Sequence, residues 1–113
     1  MKKERLCRRI CNYILSLKIK SLANLTRDAI ADEFDIPPSS LSTMFKQKIG
    51  IKIGEYINST RINKAENLIK NRPDLTIENI SKIVGIEKTQ VFRNKFKEKF
   101  GINPGEYRKL YQK

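Results

Sequence analysis

Twelve residues from Phe45 to Tyr56, FKQKIGIKIGEY, return as FKEKFGINPGEY from Phe96 to Tyr107, 51 positions later, with eight of the twelve identical. Whatever the first copy folds into, the second must fold into as well. The correspondence extends backward at an offset of 50: Leu25-Thr26 matches Leu75-Thr76, Ile30 matches Ile80, Phe34 matches Val84, and Asp35-Ile36 matches Gly85-Ile86. One residue is gained inside the second turn. Self-similarity on this scale marks a supersecondary unit used twice.

The unit is helical. Apolar residues recur at three- and four-residue intervals throughout, and no alternating stretch bounded by turn residues stands out. The chain is therefore expected to be all-α. The first helix is expected at 3–19, with Leu6, Ile10, Tyr13, Ile14 and Leu17 on one face. Thr26 can cap a short helix at 27–34, and Thr76 its copy at 77–84, with Ile77, Ile80, Ile83 and Val84 apolar. Pro38 suits the first turn of a helix at 38–49, whose inward face is Leu41, Met44, Phe45 and Ile49; Gly50 suits its end. A long helix is expected at 53–71, stopped by Pro73, and another at 88–100 burying Phe92, Phe96 and Phe100. Asn103-Pro104-Gly105-Glu106 predicts a capped start for a last helix at 104–111. Seven helices result. Each repeat is a short helix, a tight turn and a helix of about twelve residues, which is the layout of a helix-turn-helix.

Charge narrows the partners. Lys and Arg number 24 against 12 Asp and Glu, a formal net charge of +12. Such an excess draws a protein toward polyanions. No apolar run approaches the roughly 18 residues of a membrane span, and Arg8, Arg9 and Asn12 interrupt the N-terminal one, so a cytoplasmic protein is expected. Cys7 and Cys11 are the only cysteines and histidine is absent, which leaves a structural zinc without enough ligands. The two thiols lie beside the apolar face of the first helix and read as small core residues. A redox switch is the rival reading, with Arg8 close enough in sequence to lower a thiol pKa. There is no Gly-rich phosphate cradle, no metal constellation and no nucleophile with a base, so neither an enzyme nor a cofactor is expected.

The residues Leu41-Ser42-Thr43-Met44-Phe45-Lys46, Gly50, Glu55-Tyr56 and Arg61 resemble the first half of the AraC/XylS-type DNA-binding domain. Ile80-Ser81, Val84-Gly85-Ile86, Phe92 to Lys97, Phe100 to Pro104 and Tyr107-Arg108 are similar to that family's signature in the second half. The likeness covers about residues 7–110. It implies two helix-turn-helix subdomains, about 3–52 and 74–111, joined by a linker helix at about 53–71, in a transcription regulator that binds duplex DNA. The chain departs from the pattern at Pro37, Lys52 and Lys88, where a capping Ser, Thr or Asp is usual, at Asp35 in place of a turn Gly, and at Ile86 in place of an aromatic. The family usually carries an N-terminal ligand-binding or dimerisation domain as well, and these 113 residues contain none.

A linker of some nineteen residues would span about 28 Å at 1.5 Å per residue, the scale of the ~34 Å between successive major grooves on one face of DNA. One chain is thus long enough to place its helices at 38–49 and 88–100 in adjacent grooves by itself, and dimerisation stays open. Removing the apolar faces leaves Ser39, Ser40, Ser42, Thr43, Lys46 and Gln47 on the first of these helices, and Thr89, Gln90, Arg93, Asn94 and Lys97 on the second. By the resemblance, Ser39, Ser42 and Thr43 fall at base-contacting positions. Hydroxyls discriminate weakly, whereas Gln and Asn can pair bidentately with adenine and Arg with guanine. Thr89, Gln90, Arg93 and Asn94 are therefore expected to carry more of the direct readout. Lys46, Lys48, Lys52, Lys64, Lys97 and Lys99 are the candidate phosphate contacts. Arg61 and Arg108 match family arginines that could pack or form salt bridges. Asp28, Asp32, Glu33 and Asp35 crowd the helix before the first reading helix; a surface for RNA polymerase and a solvated face are both open readings. Two other functions fit the same fold: a protein-interaction module without readout, and a sequence-indifferent binder of nucleic acid.

Overall fold

The computed structural model describes residues 2–111, which form eight helices with no strand among them. They are α1 (Lys2–Ser16), α2 (Ile19–Ala23), α3 (Arg27–Glu33), α4 (Pro38–Ile49), α5 (Ile53–Asn71), α6 (Ile77–Ile83), α7 (Thr89–Phe100) and α8 (Pro104–Tyr111). The chain divides into two compact units, residues 1–60 and 61–113, and the division falls inside α5.

The first expected helix ends early, and a short helix that was not expected, α2, follows it. The stretch at 3–19 stops at Ser16, whose hydroxyl turns back to donate to the Tyr13 carbonyl at 2.8 Å. Lys18 is extended (φ −68°, ψ 156°), and α2 starts from that corner. The corner brings Leu22 and Leu25 into the same buried cluster as Ile10 and Ile14. Neither Gly nor Pro marks it, so the break comes from packing rather than from backbone chemistry.

In the first unit α4 packs against both α1 and α3. Leu41 and Phe45 are fully buried there, and Cys7, Ile10, Ile14, Ile30, Ala31, Ile53 and Ile57 complete the cluster. Tyr13 meets Phe34 edge-on at 5.5 Å between ring centroids, and the Arg9 guanidinium lies 5.5 Å from the same Phe34 ring. In the second unit the buried side chains include Ile62, Ala65, Ile69, Ile80, Val84, Ile86, Phe92 and Phe96. α6 packs on α7, and α7 on α8. Two expected core residues stay outside. Ile49 ends α4 where Gly50 turns the chain away, and Ile83 lies beside the buried line drawn by Ile80 and Val84.

The two turns share a geometry. The Ile36 amide donates to the Ala31 carbonyl at 3.0 Å, and the Ile86 amide to the Ser81 carbonyl at 2.9 Å. The residue before each isoleucine is left-handed: Asp35 at φ 55° and Gly85 at φ 95°. Asp tolerates that region better than most residues, which is why the unusual turn residue leaves the first turn intact. Thr26 and Thr76 cap α3 and α6 as expected, accepting from the Ala29 amide at 3.1 Å and the Asn79 amide at 3.0 Å. Asn103 caps α8 through the Glu106 amide at 2.9 Å. The Glu106 carboxylate answers by accepting from the Asn103 side-chain amide at 2.9 Å.

Candidate nucleic-acid interface

On α4 the buried positions Leu41, Met44 and Phe45 leave Ser39, Ser40, Thr43, Lys46 and Gln47 exposed, with Ser42 half-buried at the edge. On α7 the buried Phe92 and Phe96 leave Gln90, Arg93, Asn94 and Lys97 exposed, with Thr89 half-buried. The two helices expose largely corresponding positions because they bury corresponding apolar residues, Leu41 and Phe45 on α4 and Phe92 and Phe96 on α7. The largest difference is at Met44, which is buried where α4 packs on α1, whereas its counterpart Lys95 is exposed. Lys95 instead sits 3.9 Å from Glu98 one turn on.

The amide pair on α7 is already organised. Gln90 Nε2 donates to Asn94 Oδ1 at 3.0 Å, joining residues one turn apart. Each amide spends one of its four hydrogen-bonding sites on the other, which leaves the Gln90 oxygen free to accept and the Asn94 amino group free to donate. Adenine offers the complementary pair, an N6 donor and an N7 acceptor. Val91, which the sequence reading passed over, is 40% exposed on this helix and adds an apolar spot beside the amides. Its signal was present: a β-branched residue off the buried line of Phe92 and Phe96 has no core to enter.

On α4 the short hydroxyls have a companion from another helix. Arg27, the first residue of α3, donates from Nη1 to Ser42 Oγ at 3.1 Å and from Nε to Asp28 Oδ1 at 3.1 Å. A shallow groove runs past them, lined by Arg27, Ser42, Thr43, Lys46 and Lys52. Arg27 was absent from the candidates taken from the two reading helices because it lies on neither.

The lysines differ in their surroundings. Lys46 donates to the Gly50 carbonyl at 3.1 Å and so finishes its own helix. Lys48 lies 4.0 Å from Glu4. Lys52 and Lys97 are exposed, and Lys64 is half-buried. Desolvation by the neighbouring protein lowers the Lys99 pKa, and the Glu66 carboxylate opposes that shift.

Arg108 forms no salt bridge among the described residues. Its guanidinium reaches three backbone carbonyls: Ile69 from Nε at 3.2 Å, Leu75 from Nη1 at 2.6 Å and Arg72 from Nη2 at 3.1 Å. It closes the C-terminal end of α5 and the turn after it, where helix carbonyls lack partners. Burial lowers the pKa of Arg61. Cys7 is buried, with its thiol 4.0 Å from the Met44 carbonyl, and Cys11 is half-buried. Burial first, and then Cys11, raise the Cys7 pKa; Lys48, rather than Arg8, is the cation that opposes them. A raised pKa keeps the thiol protonated and unreactive, which favours the packing reading.

Two helices around a tight turn, the second with a buried apolar line and an outward polar face, define a helix-turn-helix protein, here with the unit present twice. A family profile described as a helix-turn-helix domain matches residues 30–110, and the chain belongs to the AraC-type helix-turn-helix family. It is 31% identical over 103 residues to the HTH-type transcriptional regulator YpdC of Escherichia coli, covering 91% of this chain and 35% of that protein. Among solved structures it is similar to the C-terminal domain of AraT, a response regulator from Geobacillus stearothermophilus (31% identity, TM-score 0.74, covering 92% of this chain and 84% of that one). The DNA-binding domain of AdpA in complex with a target DNA shares the fold at 16% identity (TM-score 0.75, covering 89% and 91%). The chain spans about a third or less of the length of the first curated relatives it matches.

Proposed function

We propose that this chain binds double-stranded DNA with sequence specificity and regulates transcription by doing so, with α4 and α7 as the helices that enter major grooves. One observation carries the reading. Both units bury matching apolar positions of the second helix, Leu41 and Phe45 in α4 and Phe92 and Phe96 in α7, and so turn an outward face of hydroxyl, amide, guanidinium and ammonium groups to solvent. Membership of the AraC-type family and the AdpA domain's complex with DNA support it.

Ser39, Ser42, Thr43, Thr89, Gln90, Arg93 and Asn94 are the proposed base contacts. The Gln90–Asn94 pair suits one adenine, and Val91 suits the methyl group of thymine. Lys46, Lys48, Lys52, Lys64, Lys97 and Lys99 are the proposed phosphate contacts. Using both helices, one chain would occupy two stretches of major groove on one duplex. No catalytic step is part of the proposal. The described residues contain no helix long and apolar enough to cross a membrane, in keeping with a regulator that works in the cytoplasm.

Selection of bound duplexes from a random pool, followed by titration of the selected and a scrambled duplex at two salt concentrations, tests the reading. A regulator keeps a preference for the selected duplex as salt rises. A general polyanion binder loses affinity for both together, and a protein-interaction module binds neither.

The acidic side of α3, with Asp32 and Glu33 exposed, is a proposed contact for RNA polymerase. Charge reversal at these two residues should lower transcription while DNA binding is kept; unchanged transcription removes that contact.

A further inference from the structure

We infer that Arg27, from outside either recognition helix, reads guanine at the first unit's binding site; this rests on the DNA-binding reading above. The Ser42 hydroxyl, on the outward edge of α4, accepts from Arg27 Nη1, and the Asp28 carboxylate accepts from Arg27 Nε, each at 3.1 Å. The side chain is 47% exposed, so its guanidinium stands at the protein surface while two bonds fix its direction. An arginine has five N–H donors in a rigid fork, and these two bonds use two of them.

The duplication sharpens the point. Position 42 in α4 corresponds to position 93 in α7, where the second unit carries an arginine of its own. Position 27 corresponds to Ile77. Each unit thus has one guanidinium associated with this position of its reading helix. The second unit carries it on the helix itself; the first carries it on the preceding helix and docks it on the serine. Without Arg27 the first unit's reading face holds only the hydroxyls Ser39, Ser42 and Thr43 at its proposed base contacts, which discriminate weakly.

The Asp28 carboxylate decides between base and phosphate. A phosphate contact draws chiefly on net positive charge, and Asp28 offsets that charge at 3.1 Å. Guanine recognition draws on two parallel, directed donors for O6 and N7, and a carboxylate that fixes the guanidinium plane favours it.

The test uses the whole chain, the duplex selected from a random pool, and duplexes with each base pair of the first unit's half changed in turn. Arg27→Ala and Arg27→Lys are compared with the parent, with melting curves to confirm folding; Arg27→Lys keeps the charge and stem should the alanine variant unfold. Both variants should bind the selected duplex on the order of 10-fold to 100-fold more weakly. Both should lose the preference at a single G·C pair and keep it elsewhere. An equal loss on every duplex, with a shallower salt dependence, makes Arg27 a phosphate contact and overturns the inference. Unchanged binding overturns it too. A parent chain that shows no preference among duplexes defeats the DNA-reading proposal itself, and this inference with it.

Discussion

The Tyr107 hydroxyl donates to the Glu66 carboxylate and joins α8 to α5 across 41 positions of sequence. The same ring packs edge-on against Phe96 at 5.2 Å and lies 5.6 Å from Phe100, so one residue is both part of the core and a polar tie. Glu66 also has Lys70 at 3.7 Å. Tyr107→Phe should keep the ring contacts and lose only the tie. Hydrogen bonds to charged groups contribute about 1.5–3 kcal/mol, and chemical denaturation should show a loss in that range. The effect should shrink to about 0.5–1.5 kcal/mol when Glu66→Gln is already present, because a neutral amide oxygen then accepts in place of the carboxylate.

Arg108→Met should cost about 2 kcal/mol, since three backbone carbonyls lose a charged donor at one step. The damage should be local before it is global. Amide exchange at the C-terminal end of α5 and in the turn through Leu75 should rise first, with the amides of α3 and α4 unaffected.

The two turn residues predict opposite responses to substitution. Gly85→Ala places a Cβ at φ 95° and should destabilise by about 1 kcal/mol or more. Asp35→Gly relieves a left-handed non-glycine residue at φ 55° and should be neutral or slightly stabilising, because glycine's greater freedom in the unfolded chain offsets part of the gain. Melting temperatures of the two variants check both signs.

Alkaline pH should loosen the fold through its tyrosines. Burial, with Cys11 beside it, pushes the Tyr56 hydroxyl from 10.0 to about 12, and burial together with Glu66 raises Tyr107 as well. Folding holds these hydroxyls neutral while the unfolded chain ionises them at their ordinary value. Their contribution to stability is therefore complete below pH 10, shrinks as pH climbs beyond it, and for Tyr56 is gone above about 12. Denaturation midpoints measured across that range should fall less steeply in Tyr56→Phe than in the parent chain.

Asn94→Ala should weaken binding to the selected duplex by about 1–3 kcal/mol and flatten the preference at one A·T pair. Gln90→Ala should act on the same pair, because the two amides are hydrogen-bonded to each other at 3.0 Å. The double variant should then lose less than the sum of the singles, measured as a double-mutant cycle on the selected duplex.

Most helix boundaries were legible because the local chemistry is strong. Thr26, Thr76 and Asn103 are side-chain caps whose bonds form within three residues, and Gly50 and Gly101 are the left-handed ends of α4 and α7. The corner at Lys18 was not legible, because nothing in Leu17-Lys18-Ile19 forbids a helix. Nor was the outward position of Ile49 and Ile83, since periodicity identifies a face but not where the neighbouring helix stops covering it. Among the site residues, the exposed faces of α4 and α7 followed from subtracting the apolar line. The Arg27–Ser42 contact could not follow from it, because its partners are 15 residues apart on different helices.

By itself the sequence determined that one helical unit is built twice, and which side of each second helix is polar, because duplication and apolar spacing are properties of neighbouring residues. Only the tertiary structure decided which polar groups face one another. It placed Arg27 on Ser42, and it spread Arg108 over three carbonyls. Such pairings depend on helices meeting at a distance in the chain, where no local preference reaches.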